Sequence, residues 1–290
     1  MAKRDDNLIM LPTVDLCFKE LMNNPKVRMG FIAALLDMPP EQIKETTLQP
    51  TELRREYGEQ KLGILDVNVL LYDGTQIDME MQVAPFRHWD ARALFYLCRM
   101  FTGQLKKGES YSRLKRCIHV SILDFIHFPE DAECCHRISL YDKTTGQRYT
   151  DLMELRILEL KKLPVRAEGE ELLISWMRFF AAKTRKEMKI VAQTDEYIDE
   201  AFEELEKLSA DKQKWMEYEA RQKAIRDYNT QVQSYWEDGL EEGQRQLKME
   251  LIKKKMARGK TLEQIADDLE TDVESIRALA EEISGETPPV

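Results

Sequence analysis

The sequence predicts an α+β protein in which a mixed β-sheet flanked by helices precedes an α-helical C-terminal region. Three features of the 290 residues indicate this fold. Apolar residues near the N-terminus recur at helical spacing, β-rich runs with turn residues between them follow, and long stretches rich in Glu, Lys, Gln and Ala come after Pro164. Such patterns favour helix, sheet and helix in that order.

Two helices and a strand are predicted first. Within residues 12–37 the apolar side chains form a helical stripe, and Pro25 divides it, because proline disfavours helix in the residue before it and starts a new helix well. A short strand is predicted from Thr46 to Leu53. A hairpin follows, since Asp73-Gly74 separates two β-rich runs, residues 62–72 and 76–84.

The elements after the hairpin are predicted to be a helix and three strands. The helix lies within residues 85–107, and residues 117–126 become continuously apolar, as a central strand does. Shorter strands are expected at 137–141 and 152–160. The buried side of the helix is expected to comprise Leu94, Phe95, Leu97, Met100 and Phe101.

We predict three domains: residues 1–165 with the sheet, a helical extension at 166–260 and a small helix-turn-helix-like segment at 261–290. In the last, Thr261-Leu-Glu-Gln264 and Thr271-Asp-Val-Glu274 fit the capping-box pattern of two short helices. The second helix offers one Arg against several Glu, which is unlike helices that contact base edges. A protein-contact or dimerisation role is therefore an equal alternative to DNA contact.

Composition predicts a cytoplasmic protein with no membrane segment. No apolar run approaches the ~20 residues of a membrane helix, and the start lacks the apolar stretch of a signal peptide. The five cysteines are odd in number and unevenly spread, which predicts reduced thiols. The formal net charge of −10 excludes a surface that is basic throughout, although a local basic face is enough to bind nucleic acid.

Two carboxylates and an amide in the hairpin form the candidate site. Asp66 lies between apolar neighbours, where an unpaired buried carboxylate is costly, and Glu80 lies in the partner strand. Two carboxylates held close repel unless a cation lies between them, and hard oxygen ligands favour Mg²⁺ or Mn²⁺. Gln82 projects from the same face as Glu80 and is expected to orient a water. The alternative is that these residues, with Asp78, form the solvated face of an exposed hairpin.

A basic segment after the hairpin is the expected DNA contact. Over residues 87–116 only Asp90 and Glu109 oppose eight cations. Clustered cations of this kind are typical of a surface that meets a phosphate backbone, although a solvated helix face is the alternative. The predicted DNA-binding residues are Arg87, Arg92, Arg99, Lys106, Lys107 and Arg113.

Several motifs together resemble one family, the recombination-promoting nucleases and transposases of bacteria in the PD-(D/E)XK nuclease superfamily. The motifs are Asp15-Leu-Cys-Phe-Lys19-Glu-Leu21, Thr51-Glu52-Leu53, Ile64-Leu-Asp66-Val67, Ile77-Asp-Met-Glu80-Met-Gln82 and Arg92-Ala-Leu-Phe-Tyr96. The match is good over about residues 10–130 and looser beyond, where Glu237-Asp-Gly239-Leu-Glu-Glu-Gly243 is similar to the family's helical tail.

The resemblance implies a restriction-endonuclease-like αβββαβ core and a Mg²⁺-dependent DNA endonuclease linked to recombination or mobile elements. It implies that Asp66 and Glu80 ligate the metal and that Gln82 replaces the usual catalytic Lys. Glu52 and Lys19 are implied as supporting residues. Gln cannot supply the positive charge of a Lys, so we expect slow cleavage, although Gln is common at this position in the family. For cleavage of both strands we expect a homodimer, because one metal site attacks one strand at a time.

Other functions have weaker support in the sequence. Cys117, His119, His127, Cys134, Cys135 and His136 lie close in sequence but without the Cys-x-x-Cys spacing of a zinc site. The sequence has no Gly-rich phosphate loop of Walker type, so we expect no nucleotide cofactor. The rival hypothesis is a catalytically inactive protein that keeps the nuclease fold and binds DNA or recruits partners.

Overall fold

A computed structural model describes residues 9–43, 45–52, 65–85, 87–165 and 169–285. The chain divides into two compact units, residues 1–221 and 222–290. Compactness does not test whether a part folds alone, so the three predicted domains remain a prediction. No helix in the described ranges is both long enough and apolar enough to cross a membrane.

The first unit combines a six-stranded sheet with helices on both faces, which confirms the predicted α+β class. Its helices are α1 (Asp15–Asn23), α2 (Pro25–Leu36), α3 (Trp89–Thr102), α4 (Leu172–Ala181), α5 (Arg185–Ala192) and α6 (Glu196–Ala210), and α7 (Lys212–Met256) begins in it. The strands are β1 (Thr46–Gln49), β2 (Val67–Leu71), β3 (Gln76–Gln82), β4 (Cys117–Leu123), β5 (Cys135–Tyr141) and β6 (Arg148–Glu159).

The strand order of the sheet is β1-β2-β3-β4-β6-β5. β3, β4 and β6 run parallel, and the other neighbouring pairs are antiparallel. The predicted hairpin is confirmed as β2 and β3, and its turn is closed by Asp73, whose carboxylate accepts from Thr75 N at 2.8 Å. Gly74 adopts a φ of 88°, which glycine allows at no steric cost. All seven residues of β4 are buried, as predicted for a central strand. Ile64 and Leu53 lie outside the described residues.

Helix α3 covers one face of the sheet. It buries Trp89, Ala93, Leu97 and Met100 against β4 and β6. The predicted buried side is wrong at Leu94, which is 49% exposed, because the helix is rotated so that Ala93 and Leu97 contact the sheet. The main core fills the opposite face. It includes Phe18, Phe31, Trp176, Phe179 and Phe180, from α1, α2 and α4.

The boundary between α1 and α2 follows from local chemistry. Pro25 is the first residue of α2, and the Asn24 side chain accepts from Lys26 N and Val27 N at 2.9 and 3.3 Å. This cap satisfies amides that have no acceptor inside the helix. Farther along α2, Gly30 lies against α6, and a Cβ added there would be 2.2 Å from Tyr197 Cβ.

The segment before α1 is bound by residues far along the chain. Met10 N donates to Ser209 Oγ at 3.0 Å, and Leu11 N donates to Tyr218 Oη at 3.3 Å. At the start of α1, Asp15 accepts from Arg221 at 2.9 Å. The N-terminal segment therefore completes its hydrogen bonding with the end of α6 and the start of α7.

The second unit contains the rest of α7 with α8 (Leu262–Asp268) and α9 (Val273–Gly285). Ile252, Ile265 and Ile276 are its buried centre. The predicted capping box of Thr261 with Gln264 is present. The second predicted box is wrong, because Asp272, instead of Thr271, accepts from the amide three residues later, at 2.7 Å. The Ser275 hydroxyl donates to the same carboxylate, so the cap is a side-chain cap and not a reciprocal box.

Candidate active site

Asp66 and Glu80 lie at the same end of the β2–β3 hairpin. Val67 pairs with Met79, so the next step of the antiparallel register sets Asp66 opposite Glu80. The side chain of Asp66 is 22% exposed, and its Oδ1 lies 3.0 Å from Nζ of Lys19 in α1. The flanking sequence positions both carboxylates, because Val67, Met79 and Met81 bury the opposite face of the hairpin.

Glu80 is buried and paired with a cation of α3. Only 2% of its side chain is exposed, and Arg92 Nη2 donates to Oε2 at 2.8 Å. Burial raises the pKa of Glu80 to about 7, and the nearby carboxylate of Asp78 adds to this, while the His119 and Arg92 charges offset part of it. Arg92 also lies 5.5 Å from the centre of the Tyr96 ring, and its Nε is buried without a partner among the described residues.

A buried polar chain runs beside Glu80, beneath α3. Asp78 pairs with His119 and Glu80 with Ser121 in the parallel register of β3 and β4. Asp78 Oδ2 lies 2.6 Å from His119 Nδ1, and His119 Nε2 lies 2.9 Å from Ser121 Oγ. Burial disfavours the imidazolium, but the Asp78 carboxylate outweighs burial and raises the pKa of His119.

The alternative of a solvated hairpin face is wrong for Asp78 and Glu80, which are 0% and 1% exposed. Gln82 is half-buried at the end of β3, and its backbone carbonyl accepts from Asp124 N at 2.9 Å. Its side chain shares the strand face of Glu80 and makes no hydrogen bond within the described ranges. The amide is therefore available to a ligand or a water.

Of the remaining predicted residues, Lys19 and Arg92 contact this site. Lys19 reaches Asp66, whereas Glu52 is exposed and has no ion pair with Asp66 or Glu80 among the described residues. The predicted DNA contacts divide into groups. Arg92 faces Glu80, Arg113 pairs with Glu109, Arg99 is half-buried, and Arg87, Lys106 and Lys107 are exposed.

The comparison with protein families gives a match that spans most of the chain. The family model for PD-(D/E)XK nuclease family transposases matches residues 12–235. The chain belongs to this family. No curated protein and no solved structure matched the chain. Membership indicates a nuclease or transposase-like role, which is that of a hydrolase acting on DNA.

PD-(D/E)XK nucleases typically use divalent metal ions, and the donor chemistry of this family member fits one. Asp66 and Glu80 provide hard carboxylate oxygens, and each carboxylate keeps one oxygen with no hydrogen bond to a described residue. Mg²⁺ commonly binds through one or two carboxylates and takes waters and phosphate oxygens for the rest. Across the described ranges, no three His, Cys, Asp or Glu side chains are grouped to hold a metal.

Sequence reasoning missed two features of the candidate site. It assigned Arg92 to DNA, although Arg92 pairs with Glu80, and it did not connect Asp78 with His119. One signal was present, since a histidine within the apolar run of β4 needs a polar partner when buried. The contact between Arg92 and Glu80 had no such signal in the sequence, because it depends on how α3 crosses the sheet.

Proposed function

We propose that this protein is a metal-dependent DNA endonuclease that hydrolyses phosphodiester bonds at Asp66, Glu80 and Gln82. The observation that supports this most is the meeting of Asp66 and Glu80 at one end of the hairpin, with Gln82 on the strand face of Glu80. Membership of the PD-(D/E)XK family transposases adds that the substrate is DNA. The family also favours a link to recombination or mobile elements.

Each residue of the proposed site has its own role in the reaction. Asp66 and Glu80 are the proposed ligands of Mg²⁺ or Mn²⁺, and when bound the metal would acidify a water and neutralise charge on the scissile phosphate. Gln82 orients the attacking water by hydrogen bonding. Arg92 holds the Glu80 carboxylate and supplies, beside the reacting phosphate, a positive charge that Gln82 lacks. Lys19 holds Asp66 in the same way from the other flank.

The exposed cations Arg87, Lys106 and Lys107 are the proposed contacts to the DNA backbone. Because such contacts release counterions, binding should weaken steeply as salt rises. A homodimer is proposed for cleavage of both strands, since each copy carries one site. Sedimentation that shows only monomers, with and without DNA, would contradict the dimer and leave the single-strand activity in place.

The test is cleavage of supercoiled plasmid by the full chain with Mg²⁺, with Mn²⁺ or with EDTA. Asp66→Asn and Glu80→Gln keep side-chain size and should reduce cleavage by at least about a hundredfold, since they remove the charged oxygens that are proposed to hold the metal. Asp151→Asn, an exposed carboxylate on β6, is the matched control. Cleavage that persists in EDTA or in both site variants would refute the proposed site.

One observation favours a second function, which is DNA binding without cleavage. Each candidate ligand already has a protein cation, Lys19 for Asp66 and Arg92 for Glu80. A protein of this fold that binds no metal would show the same two ion pairs. This function predicts salt-sensitive DNA binding that is unchanged by Asp66→Asn and no cleavage with either metal, so the plasmid assay and a binding assay together separate the two functions.

A further inference from the structure

A second buried group of charges lies on the sheet face opposite α3. Glu154 and Arg156 of β6 are each 3% exposed, and they pair in register with Ile118 and Val120 of the main core. Glu154 accepts a hydrogen bond from Arg156 Nε. It also accepts one from Arg116 Nη2, at 2.5 Å.

A third cation completes this arginine cluster, which we define as Arg116, Arg137 and Arg156 around Glu154. Arg137 Nε lies 3.7 Å from Glu154 Oε1. Three guanidinium groups around one carboxylate leave two positive charges without an anion. Among the described residues no other carboxylate forms an ion pair with these arginines. Of the three, only Arg156 is buried, with 4% of its side chain exposed, so an anion bound beside Arg156 would offset charge that solvent screens poorly.

The cluster borders two cavities, of about 560 and about 300 Å³. Arg137 and Arg156 line both, and Arg116 lines the smaller. Cavities of this size suit small ligands. Two exposed carboxylates, Asp37 and Glu171, lie at the larger cavity without pairing to the arginines.

Two sets of donors at the larger cavity have no acceptor among the described residues. Arg156 uses only Nε within the protein, so its two terminal nitrogens have no hydrogen-bond partner in the described ranges. Leu172 and Leu173, which line the same cavity, are the first residues of α4. Amides in a first helical turn have no acceptor inside the helix, and the preceding residue gives no side-chain cap. The cavity thus combines a buried guanidinium with a helix N-terminus.

We propose that this cavity binds a phosphate monoester dianion through Arg156, Arg137 and the first turn of α4. The charge decides the class of ligand, because a phosphate monoester carries close to two negative charges at neutral pH, whereas each phosphodiester of DNA carries one. The planar forks of arginine match phosphate oxygens in bidentate fashion. Such a group can belong to a small metabolite or to the 5′-phosphorylated end of a DNA strand.

The experiment is isothermal titration calorimetry on the full chain with EDTA present, so that no metal contributes at Asp66 and Glu80. The probes are inorganic phosphate, deoxyadenosine monophosphate, and a tetranucleotide with either a 5′-phosphate or a 5′-hydroxyl. Deoxyadenosine and acetate are the negative controls. The assay does not depend on cleavage, so its failure leaves the proposed nuclease function untouched.

Two variants locate the binding. Arg137→Gln should weaken it by roughly tenfold or more, the cost of one charge-assisted hydrogen bond, and the fold should survive because 61% of this side chain is exposed. Arg156→Lys keeps the charge but removes the fork, and should weaken binding at least as much. Arg148→Gln, exposed on the same strand, is the matched control and should bind normally.

The outcomes are distinct. Saturable binding of inorganic phosphate and the monophosphate, weakened by both variants, supports a small-molecule ligand. Binding of the phosphorylated tetranucleotide alone, also weakened by both variants, supports a DNA end. The proposal is overturned if no probe binds, or if Arg137→Gln and Arg156→Lys both bind as tightly as the unaltered chain.

Discussion

Arg92 of α3 reaches across to β3 and donates to Glu80 at 2.8 Å, so a buried carboxylate that is proposed to bind metal already has a cation beside it. Both partners are held in place, since Glu80 is 1% exposed and Arg92 stacks near the Tyr96 ring. A divalent metal bound at Glu80 would therefore compete with this guanidinium for the carboxylate. Removing the guanidinium is therefore expected to raise the affinity for the metal and to lower the rate of cleavage.

Arg92→Gln should tighten Mn²⁺ binding severalfold, because it removes the competing cation, and should slow cleavage at least about tenfold, because it removes positive charge near the transition state. Calorimetry with Mn²⁺ measures the first effect and plasmid cleavage the second. Adding Gln82→Lys should recover part of the rate, since it returns a cation to the same strand face. Weaker Mn²⁺ binding by Arg92→Gln would show that the guanidinium only orients the ligand.

His119→Leu should destabilise the first unit by about 3 to 5 kcal/mol, because it leaves the Asp78 carboxylate buried without its partner. Urea unfolding followed by tryptophan fluorescence gives the free energy. The double variant Asp78→Leu with His119→Leu should be more stable than His119→Leu, since it removes the unpaired charge as well. If the destabilisation of the double variant equals the sum of those of the single variants Asp78→Leu and His119→Leu, the two residues are not coupled.

Gly30→Ala should destabilise the protein by about 1 to 3 kcal/mol, because the new methyl group overlaps Tyr197 where α2 meets α6. Gly239→Ala is the control, as a Cβ there has nothing within 4 Å and alanine favours helix by roughly 1 kcal/mol. The expected result is opposite signs in thermal unfolding. Equal effects would mean that α2 and α6 separate easily.

Cys134 should react with iodoacetamide before Cys17 and Cys117 near neutral pH. The hydrogen bond from Cys135 lowers the pKa of Cys134 to about 7, whereas burial raises the pKa of Cys17 and Cys117 to about 12. Because the thiolate is the nucleophile, alkylation of Cys134 should rise as pH increases through 7. Peptide mass spectrometry measures each site.

The control for this reactivity is Cys135→Ala, which removes the hydrogen bond and should slow alkylation of Cys134 severalfold at pH 7. The exposed Cys98 is replaced by Ser in all samples so that it does not consume reagent. An unchanged rate in Cys135→Ala would show that the neighbouring thiol does not activate Cys134.

Patterns that depend on neighbours in sequence were predictable, and contacts set by packing were not. Pro25, Asp73-Gly74 and the apolar run of β4 identified a helix start, a hairpin and a central strand. Alternation in β3 gave the shared face of Glu80 and Gln82. The burial of that face depends on α3. The rotation of this helix about its own axis was predicted wrongly at Leu94, which is exposed.

Long-range partners were beyond any local pattern. His119 meets Asp78 because β3 and β4 pair in parallel after a connection of more than 30 residues, and nothing in either strand specifies that register. The arginine cluster arises in the same way from β5, β6 and the residue before β4. Such groupings follow from the order of strands in the sheet.

The hydrogen bonds from Met10 and Leu11 to Ser209 and Tyr218 also determine when, during synthesis, the first unit can complete its fold. Translation releases the first two helices long before their partners exist, since these bonds span about 200 residues. A nascent chain that stops before residue 209 leaves the apolar sides of α1 and α2 only partly covered. The first unit should thus complete its fold only after the start of α7 has left the ribosome.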